Sequence, residues 1–246
     1  MTDDPDISRG TLEEPQVRAM FDRIANVYDR LNSVMTAGLH HEWRRRAVKL
    51  AYVGPGSRVL DVATGTGDLA FELARQIGPA GHVVGADFSQ EMLTIARRKA
   101  DAGAVGAEAA PIHFEQANAL LLPHATNEFD AATVGFGVRN FSDLDQGLRE
   151  LARVVRPGGH VVILEMTTPT RRPLSSFFKL WFDRVIPFLG KLAGDADAYT
   201  YLPNSVRRFP GPDDLAAKMS RAGMAEIRYI LTAGGIIALH VGTVVV

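Results

Sequence analysis

From Arg58 to Glu165 the chain alternates short apolar, β-branched runs with stretches whose apolar residues recur at helical spacing. The runs Arg58 to Ala63, His82 to Asp87, Ile112 to Gln116, Phe129 to Gly135 and His160 to Glu165 read as strands; Asp68 to Gln76, Gln90 to Ala102 and Leu144 to Val154 read as helices. Strands separated by helices must run parallel, because a crossover helix returns the chain to the same end of the sheet. Two further helices are expected before this region, around Val17 to Tyr28 and His41 to Ala51. After it, Glu226 to Thr232 and Ile236 to Val246 can pair as an antiparallel hairpin through Gly234 and Gly235. The expected fold is therefore α/β, a Rossmann-like, mostly parallel sheet with helices on both faces and an antiparallel C-terminal hairpin.

A chain of 246 residues that is 46% hydrophobic can bury one sizeable core. Residues 16–246 read as a single domain behind a polar, mostly acidic tail at 1–15, which lacks the basic start and apolar run of a secretory signal. The formal net charge of −1 and the absence of any Lys/Arg stripe argue against a nucleic-acid partner. With no cysteine, disulfides, thiolate nucleophiles and Cys-based zinc sites are excluded, which suits a reducing, cytoplasmic location. No His/Asp/Glu cluster has metal-ligand spacing, so no metal is expected. No apolar run reaches the length of a spanning helix.

In an open parallel sheet, ligands bind in the crevice outside the carboxyl ends of the strands. The first strand delivers Val59 to Ala70, VLDVATGTGDLA, to that crevice. Gly65, Gly67 and Ala70 alone would fit a dinucleotide fingerprint. A carboxylate at Asp61, however, suits a ligand carrying a positive charge better than a pyrophosphate, because like charges repel in a partly dry site. Asp87, closing the second strand, can accept hydrogen bonds from ribose hydroxyls; Asn118 and the adjacent backbone, after the third, can address an adenine edge, although Asn118 would serve equally as a turn residue.

On these residues the chain resembles the class I methyltransferases. Asp61-x-Ala63-x-Gly65-x-Gly67 is similar to their first motif, with alanine where many have glycine, and Arg156-Pro157-Gly158-Gly159 followed by His160 to Glu165 is similar to a late one. The resemblance implies S-adenosyl-L-methionine as cofactor, bound by Asp61, Gly65, Thr66, Gly67, Asp87, Phe88, Asn118, Ala119 and Gly135.

Other stretches narrow the likeness to the ubiquinone/menaquinone biosynthesis C-methyltransferases. They are Tyr28-Asp29-x-x-Asn32 with Met35, Gly38, His40 and Trp43; Phe136-Gly137-Val138-Arg139-Asn140; Tyr199-x-Tyr201-Leu202; and Leu231 to Gly242 with His240. Members often carry serine at Gly135 and asparagine at Ile230. The likeness implies C-methylation of a reduced polyprenyl quinone, and the Ala86-Asp87-Phe88-Ser89 wording leans toward the menaquinone branch. It places Arg139 as the acceptor-activating residue: a guanidinium cannot serve as a base, but it can stabilise a phenolate. Asn140 is its expected partner, or else an N-cap for the following helix. Tyr28 and Tyr201 are expected walls of the acceptor site. His40 and His240 titrate near neutrality and could take a proton, or could be structural.

A polyprenyl tail needs an apolar trough. Arg171 to Gly194, residues 171–194, supplies Phe177, Phe178, Trp181 and Phe182 beside Arg172, Lys179 and Arg184, so it reads as a lid that could contact lipid at the inner face of a membrane; an amphipathic helix packed on the domain is the plainer reading. The sequence leaves room for a homo-oligomer. Two other enzyme readings stay open here, a small-molecule O- or N-methyltransferase and an NAD-type oxidoreductase, along with a scaffold that binds the cofactor without turnover.

Overall fold

A computed structural model describes residues 14–36, 38–169, 172, 175 and 196–245. In chain order these form α1 (Glu14–Thr36), α2 (Leu39–Leu50), β1 (Arg58–Val62), α3 (Asp68–Ile77), β2 (His82–Asp87), α4 (Gln90–Asp101), β3 (Ile112–Gln116), β4 (Phe129–Gly135), α5 (Leu144–Val154), β5 (Val155–Met166), α6 (Ala196–Arg208), α7 (Pro212–Arg221), β6 (Met224–Thr232) and β7 (Ile237–Val244). The strands make one sheet in the order β3-β2-β1-β4-β5-β7-β6. The first five pair in parallel, and β7 runs antiparallel to both neighbours, so the terminal hairpin joins the edge as expected, with its second strand innermost. Gly234 and Gly235 make the turn at φ 67° and 93°, left-handed values that glycine adopts without strain.

Alternate residues along each strand feed opposite layers, as the two-residue repeat of a pleat demands. Val59 and Ala131 pack toward α2, α3 and α4, through Trp43, Leu69, Leu73 and Leu93. Leu60, Val62, Ala132 and Val134 pack the other way, toward Leu148 and Leu151 of α5 and Leu215 of α7. Fully buried aliphatic side chains such as Leu60, Leu148 and Ile163 each contribute roughly 1.5–3 kcal/mol against exposure, which fixes the sheet between its layers.

Three boundaries differ from expectation. Helix α1 starts at Glu14, so two residues assigned to the tail form its first turn, and it runs on to Thr36, beyond Tyr28. Strand β1 stops at Val62, because Ala63 turns left-handed at φ 53°. Strand β5 already pairs at Val155 with Phe129; Arg156 to Gly159 then loop out before His160 rejoins opposite Ala131. Only glycine fits at 159, where a Cβ would lie 2.4 Å from the Asp130 carbonyl oxygen. The expected lid, 171–194, lies outside the described residues except for Arg172 and Ser175, as does the tail up to residue 13.

Candidate active site

The sheet order reverses between β1 and β4, and the crevice beyond their carboxyl ends opens into a cavity. This is where an open α/β sheet takes its ligand. The loop after β1 lines it with Val62, Ala63 and Gly65, the β2 end with Asp87 and Phe88, and the β3 end with Ala117, Asn118 and Ala119. Gly135 to Gly137, Asn140, Phe141 and Ser142 form the β4 side, and Glu14, Phe21 and Tyr28 of α1 close the remaining side. Gly65, Asp87, Phe88, Asn118, Ala119, Gly135, Asn140 and Tyr28 are thus brought together as the sequence suggested.

Asp87 organises the loop. Its Oδ2 accepts the Gly65 N–H at 2.8 Å and its Oδ1 the Ser89 N–H at 2.9 Å. Burial pushes its carboxyl up to about 6, against the pull of the Ser89, Gly65 and Phe88 N–H groups. Asn118 is pinned at both ends of its amide: Oδ1 accepts the Leu120 N–H, and Nδ2 donates to Glu14 Oε1 at 2.9 Å. A Cβ at Gly65 would meet nothing within 4 Å, so this backbone is bare toward the cavity.

Asp61 does not line the cavity. It shares a face with Val59, opposite Thr133 in register, and is fully buried. Its Oδ1 accepts from Thr133 Oγ1 and its Oδ2 from Thr64 Oγ1, both at 2.6 Å. Desolvation raises its carboxyl to about 6, against the two threonine bonds and the Arg44 charge. Its work is beneath the floor, tying the glycine loop to β4. Gly67 is also a packing residue: it caps α3 at φ 87°, and a Cβ there would come within 2.9 Å of Phe71 and 3.1 Å of Phe114. Thr66 turns away as well, its hydroxyl donating to Asp29 Oδ1 at 2.6 Å.

Arg139 sits in a short 3₁₀ turn, Val138–Asn140, after β4. It is buried and outside the cavity lining. Nη1 donates to Glu165 Oε1 and to the Phe136 carbonyl, each at 2.6 Å, while Nε is buried with no hydrogen-bond partner among the described residues. Burial opposes its charge most strongly, but Glu165, Tyr28 and Tyr201 together outweigh it and raise the pKa. Asn140 caps nothing, because Asp143 is the N-cap of α5. Its Oδ1 instead accepts the Tyr201 hydroxyl at 3.2 Å, and Tyr201 itself lies buried behind the wall.

Both histidines make polar contacts away from the cavity lining. His40 Nδ1 meets Thr36 Oγ1 at 2.7 Å, and burial, then the Arg44 charge, lowers its pKa to about 4. His240 Nε2 lies 2.9 Å from the Pro212 carbonyl, which as an acceptor requires the proton on Nε2; burial lowers this pKa too. Neither borders the cavity. Sequence reasoning missed Phe21 and Phe141, which join Phe136 of the acceptor-side motif in the aromatic wall. Phe21 stands edge-on to both Tyr28 and Phe88 at 6.2 Å, and its place seven residues before Tyr28 on one helix was the available signal.

A sequence model of the ubiE/COQ5 methyltransferase family matches residues 9–244. The chain belongs to this family. Among its relatives, the demethylmenaquinone methyltransferase of Thermus thermophilus is 47% identical over 91% of this chain and 99% of its own. The ubiquinone/menaquinone biosynthesis C-methyltransferase UbiE of Teredinibacter turnerae is 41% identical, covering 93% and 91%. A solved SAM-dependent methyltransferase from Aquifex aeolicus superposes with a TM-score of 0.58 at 18% identity, covering 82% of this chain and 89% of that one, and supports the fold. The family member described here is thus a methyltransferase, with S-adenosyl-L-methionine as its cofactor. In that light the cavity brings together the ends of β1 to β3 and the β4-side residues Gly135 to Gly137 and Asn140 to Ser142.

Proposed function

We propose that this chain methylates a ring carbon of a reduced polyprenyl quinone precursor, demethylmenaquinol in the first instance, with S-adenosyl-L-methionine as donor. One observation carries the reading. The Phe136-to-Asn140 segment, the family's acceptor-side motif, folds back so that Phe136, Gly137 and Asn140 share a single cavity with Gly65 and Asp87. Donor and acceptor then meet without any protein-bound intermediate.

In the step itself the electron-rich ring carbon attacks the sulfonium methyl in line. The C–C bond forms as the S–CH₃ bond breaks, S-adenosyl-L-homocysteine leaves neutral, and the ring proton is lost to restore aromaticity. Asp87 and the bare Gly65 backbone hold the donor; Tyr28 and Asn140 orient the acceptor. Holding two reactants in attack geometry supplies roughly 7–11 kcal/mol of such a barrier. Arg139, paired with Glu165 and bonded to the Phe136 carbonyl behind the cavity wall, holds the acceptor-side turn in place, and the ring proton passes to water. The aromatic and basic residues of 171–194 suit the quinol's polyprenyl tail and a membrane surface on the cytoplasmic side.

The test is a mass-spectrometric assay of the purified protein under reducing conditions with both demethylmenaquinol and the corresponding demethyl benzoquinol. Transfer of one methyl from labelled donor to a ring carbon supports the reading. Donor binding without transfer to either quinol, or binding of NAD in place of the donor, overturns it.

A further inference from the structure

Helix α1 crosses the cavity mouth, and three of its acids reach the three loops that hold the nucleotide-type contacts. Glu14 accepts from Asn118 after β3, and Asp22 Oδ1 accepts the Ser89 hydroxyl after β2 at 2.5 Å. Asp29 accepts the Thr66 hydroxyl after β1 at 2.6 Å and the Lys99 ammonium of α4 at 2.9 Å. The contacts follow the strands in their sheet order. The residues facing inward, Glu14, Phe21 and Tyr28, fall at seven-residue intervals, so one stripe of the helix lines the cavity while the flanking Asp22 and Asp29 grip its rim.

We propose that α1 is a releasable strap over the donor half of the cavity, and that Asp22 and Asp29 are positioning residues whose clasps set how slowly the donor and its demethylated product leave. This rests on the cavity being the donor site. The Asp29–Lys99 clasp lies at the rim, its side chains 38% and 27% exposed, so water can replace that bond as it opens, whereas Asp22 grips a buried Ser89. On the inner stripe Phe21 stands edge-on to Phe88 at 6.2 Å, so closure of the helix also covers the β2 end of the cavity with an aromatic ring.

The experiment measures release of bound S-adenosyl-L-homocysteine from the full chain after a chase with excess unlabelled donor. D22A/D29A should release it at least about tenfold faster. Because the chain has no cysteine, D29C/K99C can be joined selectively by a cleavable bifunctional thiol reagent. Joined, it should release product more slowly than the unmodified protein, and reductant should reverse the effect. A release rate unchanged by the bridge overturns the strap, whether or not D22A/D29A folds. So does a D22A/D29A variant with a lower melting temperature but ordinary release. Asp87→Ala separates the two readings: donor affinity untouched by it would sink the site assignment, whereas weakened affinity with clasp-independent release would sink the strap alone.

Discussion

Arg139 and Glu165 form a buried ion pair behind the acceptor wall, Nη1 to Oε1 at 2.6 Å, with side chains 7% and 1% exposed. Glu165 Oε1 also accepts the Met166 N–H, so the carboxylate is anchored to β5 and the arginine to it. Removing one partner of such a pair strands the other charge in low dielectric, at a cost of about 3–5 kcal/mol, whereas neutralising both is far milder. Arg139→Ala should therefore lose both turnover and stability, and Arg139→Met with Glu165→Gln should recover most of the stability in urea unfolding yet stay inactive. Equal instability of the single and double variants would refute the pairing argument; an active double variant would remove Arg139 from the chemistry.

Asp61 leads to a pH prediction. Its folded carboxyl keeps the proton to about pH 6, while the unfolded chain releases it near the ordinary aspartate value. The folded state thus binds more protons between those limits, so this contribution is complete at low pH and is lost as pH rises through 6. The loss is on the order of 3 kcal/mol, because each pKa unit is worth about 1.4. Asp61→Asn should gain stability relative to the native chain between pH 4 and 7.5, read as the difference between two urea series. A difference that does not change with pH would show that the threonine bonds already hold the carboxylate charged.

Much of this molecule was legible because central parallel strands are apolar on both faces and separated by amphipathic helices, a pattern that local spacing encodes. The cavity-lining residues at strand ends followed from the same logic. What failed was the direction of side chains and their distant partners. Asp61 was expected to face the crevice, although the pleat that buries Val59 turns it toward α2 and α3. The partners of Arg139 and Asn140 lie 26 and 61 residues away, in β5 and α6, and no local spacing announces them. Gly67 matched a ligand-approach fingerprint, yet its missing side chain makes room for Phe71 and Phe114.

The histidines offer a negative prediction for catalysis and a positive one for stability. His40 and His240 sit outside the cavity with depressed pKa values, so His40→Gln and His240→Gln should leave the pH profile of kcat/KM in shape. A histidine held neutral in the fold takes up its proton on unfolding below about 6.5, so stability falls as pH drops from there toward 4. His40→Gln should flatten that acid limb of the unfolding curve. Loss of a kinetic pKa in either variant would return a histidine to the mechanism.

Gly137 and Ala63 are coupled by contact. Ala63 occupies the left-handed region at φ 53°, a conformation costing an L-residue roughly 1–2 kcal/mol, and its Cβ fills the space a side chain at 137 would need: an added Cβ would lie 2.4 Å from it and 3.2 Å from Val134 Cγ1. Gly137→Ala should destabilise by about 1–3 kcal/mol or more, as overpacking does. Ala63→Gly should be neutral to slightly stabilising, because relief of the strained φ offsets the entropy glycine adds to the unfolded chain. Combined, Ala63→Gly should rescue most of the Gly137→Ala loss, leaving the Val134 contact as the residue of the cost. The measurement is a double-mutant cycle by urea unfolding, with an expected coupling of about 0.5–3 kcal/mol. Simple additivity would mean that the β4 turn moves away from the glycine loop when either is filled, and the two halves of the site would then be less rigidly joined than this contact requires.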